Sequence, residues 1–492
     1  MIAQVLNRDF VLKQAAAIRT GLAGAVAERQ RPGHERSGLD ELSDAELGEL
    51  IGELGVVDDE LGAEAVQEQE GGGEAYEVRG MGAALGGAPP KDDYAFLPRS
   101  PLLSIVQTTI EEYVETQQPE LLVGQPLADE SRGLGGVPAV TDLRLAPAPL
   151  IGGAGERRRF GEMEVTDPKL FSDPRWLLSG VAMAWRAIRG RVNFNASPPP
   201  PIEIADDARI VVVGDWGSGI PRARKVADQM RAALDHPDAA GRQRHVIHLG
   251  DVYYSGARSE YRKRLLGPWP VRRGEDIGSF TLMGNHDMYL GGEPYYDTCL
   301  ADPRFAKQDG CSYFALRSRH WQLLGLDTGY EDGGLKDPQA SWVRDRLAEA
   351  RQPSEPGEAP LRTALLSHHQ LFSTHEGGAQ RMADKLTPVL EDAGGVDAWL
   401  WGHEHRCIVY DAHLGVRFSS CVGHGGIPEY LPRGHGEPAP LYEYNAKFGD
   451  GEPWNTFGFA ILDLAGDRLS ISYVNEDGDV HHRVDDVTAA AG

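Results

Sequence analysis

Cysteine is scarce in this chain: four residues (Cys299, Cys311, Cys407 and Cys421) among 492. That excludes a disulfide scaffold as the source of stability and suits a reducing compartment. Long apolar runs are missing too, and no stretch reaches the roughly 18 residues of a membrane-spanning helix. The first twenty residues, MIAQVLNRDFVLKQAAAIRT, carry Arg8, Asp9 and Lys13 where an export signal needs an unbroken apolar core. The expectation is a cytoplasmic protein with no membrane span. Positive charge is in short supply, with 49 Lys and Arg against 74 Asp and Glu and a net charge of -25. Nucleic acid and anionic membrane surfaces are therefore not expected as partners.

What is present is unevenly spread. Between Asp40 and Glu77 there are fourteen acidic residues and no Lys or Arg, so more than half of the net charge lies in one short segment. Ser43 and Glu46 form a capping box there, and Leu47, Leu50, Ile51 and Leu54 form one apolar stripe, which predicts an acidic helical element. Residues 71–90 (GGGEAYEVRGMGAALGGAPP) read as linker. Helices are expected over Leu102–Gln117 and Asp173–Arg189, the second with Ser172 as cap and Pro174 in its first turn. SPPPP, Ser197 to Pro201, is a stiff extended spacer. We therefore divide the chain into 1–90, an acidic helical segment and linker; 91–200, a mainly helical accessory region; and 201–492, the part that carries chemistry.

Beyond the spacer the pattern changes to short apolar strands alternating with helices. RIVVVGD, HVIHLGD, SFTLMGNHD, HWQLLGLD, TALLSHH and DAWLWGHEH read as buried strands, with helices over Ala223–Leu234 and Gln339–Ala350. Such a series predicts an α/β (α+β in part) architecture, sheets sandwiched between helices.

Five of these strands end in polar groups: GDWG (Gly214–Gly217), GDVYY (Gly250–Tyr254), GNHD (Gly284–Asp287), LLSH (Leu365–His368) and GHEH (Gly402–His405). Each alone is an ordinary turn or a satisfied histidine. Together they bring carboxylates, a phenol, an amide oxygen and imidazoles to one edge, a donor set of hard oxygen and borderline nitrogen that suits two ions of the Fe, Mn or Zn kind. A pair of cations about 3.5–4 Å apart can neutralise phosphate oxygens and hold a hydroxide in line with the leaving group.

These motifs, over roughly Ile210 to Cys421, resemble the calcineurin-like metallophosphoesterases, and among them the purple acid phosphatases. Asp215-Trp216-Gly217 stands where the wider superfamily has Asp-x-His, and Tyr254 follows Asp251 at Asp-x-x-Tyr spacing. GDWGSGIP and GDVYYSG look most like the short, animal-type members. The resemblance implies a two-sheet β-sandwich flanked by helices, the metallophosphoesterase fold, and a phosphatase acting on monoesters of a phosphorylated small molecule. It also implies that Asp215, Asp251, Tyr254 and His405 hold a first metal, ferric iron in the family, with Asp251 bridging. Asn285, His368 and His403 then complete a second site taking Fe, Zn or Mn, and Tyr253 is the packing neighbour of Tyr254. By the same route His286 contacts the phosphate or the leaving oxygen, and His375 is either a general acid or phosphate contact or an ordinary loop residue; Asp287 either orients His286, as carboxylate–histidine pairs do, or is a surface Asp in a turn.

The remaining candidates have blander expectations. His369 reads as a neighbour of the site or core, Cys407 as a sheet-packing residue, His245 and His248 as structural, and His424 as a histidine on a strand that passes the site. The arginines and lysine at 258–273 are expected to pair with the acidic N-terminal segment or to attract an anionic substrate. Two alternative functions stand beside the phosphatase: a nucleotide phosphodiesterase or pyrophosphatase, and a regulatory protein whose acidic N-terminal half binds a partner.

Overall fold

The computed structural model describes residues 190–352, 359–427, 429, 435–446 and 455–489, with short stretches before residue 190. The chain divides into two compact units, Met1–Gly190 and Arg191–Gly492, so the division falls just ahead of the SPPPP spacer.

In the first unit, β5 (Met163–Asp167) pairs in parallel with β1 (Gln4–Leu6) and antiparallel with β4 (Glu156–Phe160). A second ladder joins β2 (Glu77–Val78) to β3 (Ala95–Phe96). The sequence pattern predicts none of these strands. Ala45, Leu47, Gly48, Ile51 and Gly52 are helical as expected, and so are Ser104, Ile105, Gln107, Thr108 and Thr109. The helix expected over 173–189 lies outside the described residues.

The second unit is built on two sheets. Six strands run in the order β19 (Val480–Val484), β18 (Arg468–Asn475), β17 (Gly458–Ala465), β7 (Asp207–Val213), β8 (Gln243–His248) and β9 (Gly278–Thr281). Eight run in the order β16 (Tyr442–Glu443), β14 (Cys407–Tyr410), β15 (Val416–Val422), β13 (Val396–Trp401), β12 (Arg362–Leu366), β11 (Trp321–Gly325), β10 (Phe314–Arg317) and β6 (Ile202–Glu203). Each sheet has a parallel part, β7-β8-β9 at one end of the first and β11-β12-β13 in the middle of the second. Parallel strands are covered on both faces, which is why these segments read as unbroken apolar runs.

Alternation along each strand decides what the two faces meet. Leu323, Leu366 and Leu400 point between the sheets and join Ile210, Val212, Ile247 and Phe280 in one core. Their neighbours Leu324, Leu365, Trp399 and Trp401 point outward into a second core with Val343, Leu347, Met382 and Leu386. The last four lie on α2 (Gln339–Ala350) and α3 (Gln380–Ala393). A further helix, α1 (Pro221–Asp235), follows β7 and carries proline in its first turn. The expected two-sheet sandwich flanked by helices is thus the observed fold. Its consequence for chemistry is simple: the C-terminal tips of β7, β8, β9, β12 and β13 meet at one rim. Among the described residues, no helix is long and apolar enough to cross a membrane.

Candidate metal centre

The turns that follow the strands bring Asp215, Asp251, Asn285, His368, His403 and His405 together. Four of the six sit in the left-handed region of backbone space: Asp215 at φ 54°, Asp251 at 72°, His403 at 70° and His405 at 54°. Non-glycine residues hold such angles at a cost of order 1–3 kcal/mol each, and this strain concentrates where geometry serves function. Gly284 shows how tightly the loops pack, since a Cβ there would stand 2.1 Å from Asp251 Oδ1.

The contacts are specific. Asp215 Oδ2 accepts from the His403 backbone N–H at 2.7 Å, and His405 Nε2 lies 3.6 Å from Asp215 Oδ1. Asp251 Oδ1 accepts from the His286 backbone N–H at 3.0 Å, and its Oδ2 lies 3.4 Å from His368 Nε2. His368 donates Nδ1–H to the Leu249 carbonyl at 3.1 Å. That bond turns the Nε2 lone pair toward Asn285 Oδ1 at 3.1 Å and His403 Nδ1 at 3.2 Å, the arrangement that metal-ligating histidines adopt. Asn285 is steadied by its amide, which donates to the Tyr289 hydroxyl at 2.8 Å.

The electrostatics fit cations. Burial pushes the Asp215 carboxyl up to about 7, His368 opposes this, and the nearby Asp251 adds to it. Burial alone would lower His368, but the charge of Asp251 and the contact with it, then Asp215, lift it to about 9. Asp251 is held well below the usual carboxylate range because His368 and His286 outweigh its burial. Two buried carboxylates this close set their charges against each other, a conflict that cations relieve. Two oxyanions and a convergent set of imidazole nitrogens, with no sulfur, are the donors that Fe, Mn or Zn accept. The residues fit two such ions.

Three residues stand differently from expectation. The phenol at the carboxylates belongs to Tyr253, not Tyr254. The Tyr253 hydroxyl lies 2.8 Å from Asp215 Oδ1, 3.0 Å from Asp251 Oδ2 and 3.0 Å from His405 Nε2. Tyr254 instead sets its ring under the Arg264 guanidinium at 5.1 Å. The cause is local: both backbone N–H groups of Tyr254 and Ser255 donate to the Glu260 carboxylate, which pins the turn in that register.

Asp287 does not orient His286. Its carboxylate accepts from the backbone N–H groups of Asp251 (2.9 Å), Val252 (3.1 Å) and Gly284 (2.8 Å) and from the Tyr261 hydroxyl (2.5 Å). It ties two strand tips together. Burial pushes its carboxyl up to about 7, with the charge of Asp251 adding to the rise. His286 is positioned by other means: Nδ1–H donates to the Tyr254 carbonyl at 2.5 Å, and the ring lies between Tyr253 and Tyr289, each 4.5 Å away.

His375 is turned away from the strand tips. Ser373 Oγ accepts from the backbone N–H groups of His375 and Glu376, and His375 Nε2 then meets Glu443 Oε1 at 2.9 Å. The residue of this loop that approaches the cluster is Glu376, whose Oε2 lies 4.0 Å from His403 Nε2.

Other placements follow expectation. His369 donates to or accepts from Thr328 Oγ1 at 3.0 Å and packs its ring 4.5 Å from His403. His245 and His248 are buried in the sheet, and burial lowers both, to about 4 and about 3. In the basic stretch, ion pairs among the described residues join Arg258 to Glu293 and Asp297, Arg264 to Glu260, and Arg273 to Asp302, while most of the acidic N-terminal segment expected as its partner lies outside the described residues. Sequence reasoning missed Glu404, a fully buried carboxylate held by Trp401 Nε1 at 2.7 Å and by the Ser373 hydroxyl, which braces the Gly402–His405 turn. Its place between the two histidines of GHEH was the available signal.

Residues 208–407 match the family model described as "Calcineurin-like phosphoesterase". The tartrate-resistant acid phosphatase type 5 of Rattus norvegicus is 26% identical over 310 residues, covering 56% of this chain and 88% of the relative. The enzyme of the same name from Mus musculus is 24% identical over 338 residues, 61% of this chain and 94% of its own. Among solved structures, a dimetal phosphatase from Danio rerio aligns with TM-score 0.36 at 13% identity, covering 55% of this chain and 96% of that one.

Proposed function

The chain carries a calcineurin-like phosphoesterase domain and is a hydrolase of phosphoric esters; we propose that it cleaves monoesters of phosphorylated small molecules at a dinuclear centre. The observation that carries the reading is the convergence of Asp215, Asp251, Asn285, His368, His403 and His405 on one rim, with His286 beside them. Asp215, Asp251, His405 and Tyr253 would hold one ion, and Asn285, His368 and His403 the other, with Asp251 between them. The resemblance of the strand-tip motifs to purple acid phosphatases favours iron in the first position and Fe, Zn or Mn in the second. Such a pair supplies charge neutralisation of the phosphate and activation of a water.

The chain's own groups do the rest. His286 keeps its Nδ1 proton on the Tyr254 carbonyl, so Nε2 is the atom that can exchange a proton with the leaving oxygen. Tyr253 is braced between Asp215 and Asp251, where it aligns both carboxylates. His403 stands at the partly open side of the cluster, near Glu376, where a phosphate must enter. All four cysteines are free and buried, which supports a reducing, cytoplasmic setting.

The test is turnover of p-nitrophenyl phosphate beside bis(p-nitrophenyl) phosphate, on protein reconstituted with iron, zinc or manganese. Preference for the monoester by tenfold or more in kcat/KM is expected. Equal or greater activity on the diester would replace the monoester reading with a phosphodiesterase. Absence of turnover on both esters, with two metals bound, would remove the enzymatic reading.

A further inference from the structure

The two sheets also bring together an unusual group of side chains that the metal centre does not use. Cys407 begins β14 in the eight-stranded sheet, and His424 lies two residues past the end of β15, its neighbour. His481 comes from β19, the edge strand of the six-stranded sheet. One donor atom from each of the three lies within 4.8 Å of the other two.

Their surroundings make the group costly as bare side chains. Cys407 is 1% exposed and His424 is 2% exposed, and Cys407 belongs to the apolar core between the sheets. Among the described residues, neither ring nitrogen of His424 has a hydrogen-bond partner, and neither does Nε2 of His481. A buried polar group left unsatisfied costs about 1–3 kcal/mol, and such groups in folded proteins call for an explanation. The other nitrogen of His481 is engaged: the Tyr442 hydroxyl lies 2.9 Å from Nδ1. With the Nδ1 proton on that hydroxyl, the lone pair falls on Nε2, as in histidines whose second nitrogen binds a metal.

We propose that Cys407, His424 and His481 form a third metal site, separate from the dinuclear centre, which takes a single zinc ion and ties the two sheets together. One thiolate and two imidazoles are the soft and borderline donors that zinc prefers, and the cluster includes no carboxylate to favour calcium or magnesium. Zn–S near 2.3 Å and Zn–N near 2.0 Å place such donors about 3.5 Å apart, so the trio has to close by about an ångström at most. The fourth position belongs to water. A water alone is the weaker occupant, because it needs two to four polar partners and a thiol is a poor one.

The proposed dinuclear centre contains no sulfur ligand, so sulfur reports on this site alone. The full chain, stripped of metal, is titrated with Zn2+ and separately with Co2+, with metal content and ultraviolet absorption followed. Three equivalents per chain and a thiolate-to-cobalt charge-transfer band are expected. Cys407→Ser should lose the band and one equivalent while keeping two metals and phosphoesterase activity. His481→Gln, on the partly exposed edge strand, should lose the third equivalent even if the Cys407 variant does not fold. Two equivalents with no thiolate band in the wild type overturn the proposal, as does a band that survives Cys407→Ser. Loss of phosphoesterase activity in wild type with the third site filled would count against the dinuclear reading and leave this one standing.

Discussion

The Tyr253 hydroxyl bridges the two carboxylates of the centre, 2.8 Å from Asp215 Oδ1 and 3.0 Å from Asp251 Oδ2. Asp215 and Asp251 raise this phenol well above its usual range as it stands, with burial the largest cause. A cation between the same oxygens reverses that sign, because it favours the phenolate.

The first prediction separates the adjacent tyrosines. Tyr253→Phe should lower metal affinity and kcat/KM by about 10–100-fold, the range seen when a group at a metal site is lost. Tyr254→Phe should stay within about threefold of wild type. Metal analysis and visible absorption of both proteins, reconstituted with iron, check this. A colour lost from the Tyr254 variant instead would return the ligand role to that residue.

Asp287 should prove to be a positioning residue. Asp287→Asn presents an amide N–H to backbone donors that now meet a carboxylate, at a cost of about 1–3 kcal/mol. Urea denaturation should show that loss, and metal affinity should fall with it. The pH dependence of kcat/KM should keep its shape, whereas a partner of His286 would shift one limb.

Arg222 and Glu476 form a buried pair in which the guanidinium lies 2.8 Å from the carboxylate and donates also to the Asn455 carbonyl. Arg222→Met leaves the buried Glu476 with only the more distant Lys225, 3.8 Å away, and should cost about 3 kcal/mol in thermal or chemical unfolding. The double variant Arg222→Met/Glu476→Met should recover most of that. A double variant no more stable than the single one would show that the pair stabilises outright.

Asp302 gives a pH dependence remote from the metals. Burial raises its carboxyl, but Arg304 and Arg273 outweigh this and pull it from 3.8 down to about 2. A folded-state value below the unfolded one means stability that is fully present above pH 4 and lost as the pH falls toward 2. Asp302→Asn should destabilise by about 1–2 kcal/mol at neutral pH and by progressively less in acid. An equal loss at pH 2.5 and pH 7 would contradict it.

Much of the catalytic unit is legible in one dimension. The helix expected over Gln339–Ala350 has those bounds, and that over Ala223–Leu234 gains only a residue or two at each end. Apolar runs ending in Gly-Asp or Gly-Asn-His mark strand tips because a buried parallel strand must be apolar on both faces. The sheets of the first unit escaped, since strands of two to five residues carry too little pattern to stand out.

What the sequence determined by itself is the chemistry at hand: which strands end in carboxylate, amide and imidazole, and that these suit two metal ions. The tertiary structure decided the assignments that depend on direction. Glu260 pins the turn that aims Tyr253 rather than Tyr254 inward, and Asp287 spends its oxygens on backbone N–H groups. Ser373 turns His375 toward Glu443. Cys407, His424 and His481 meet only because the two sheets of the sandwich pack against each other. Spacing along a chain specifies which groups share an element; the side on which each group emerges depends on hydrogen bonds between elements far apart in sequence.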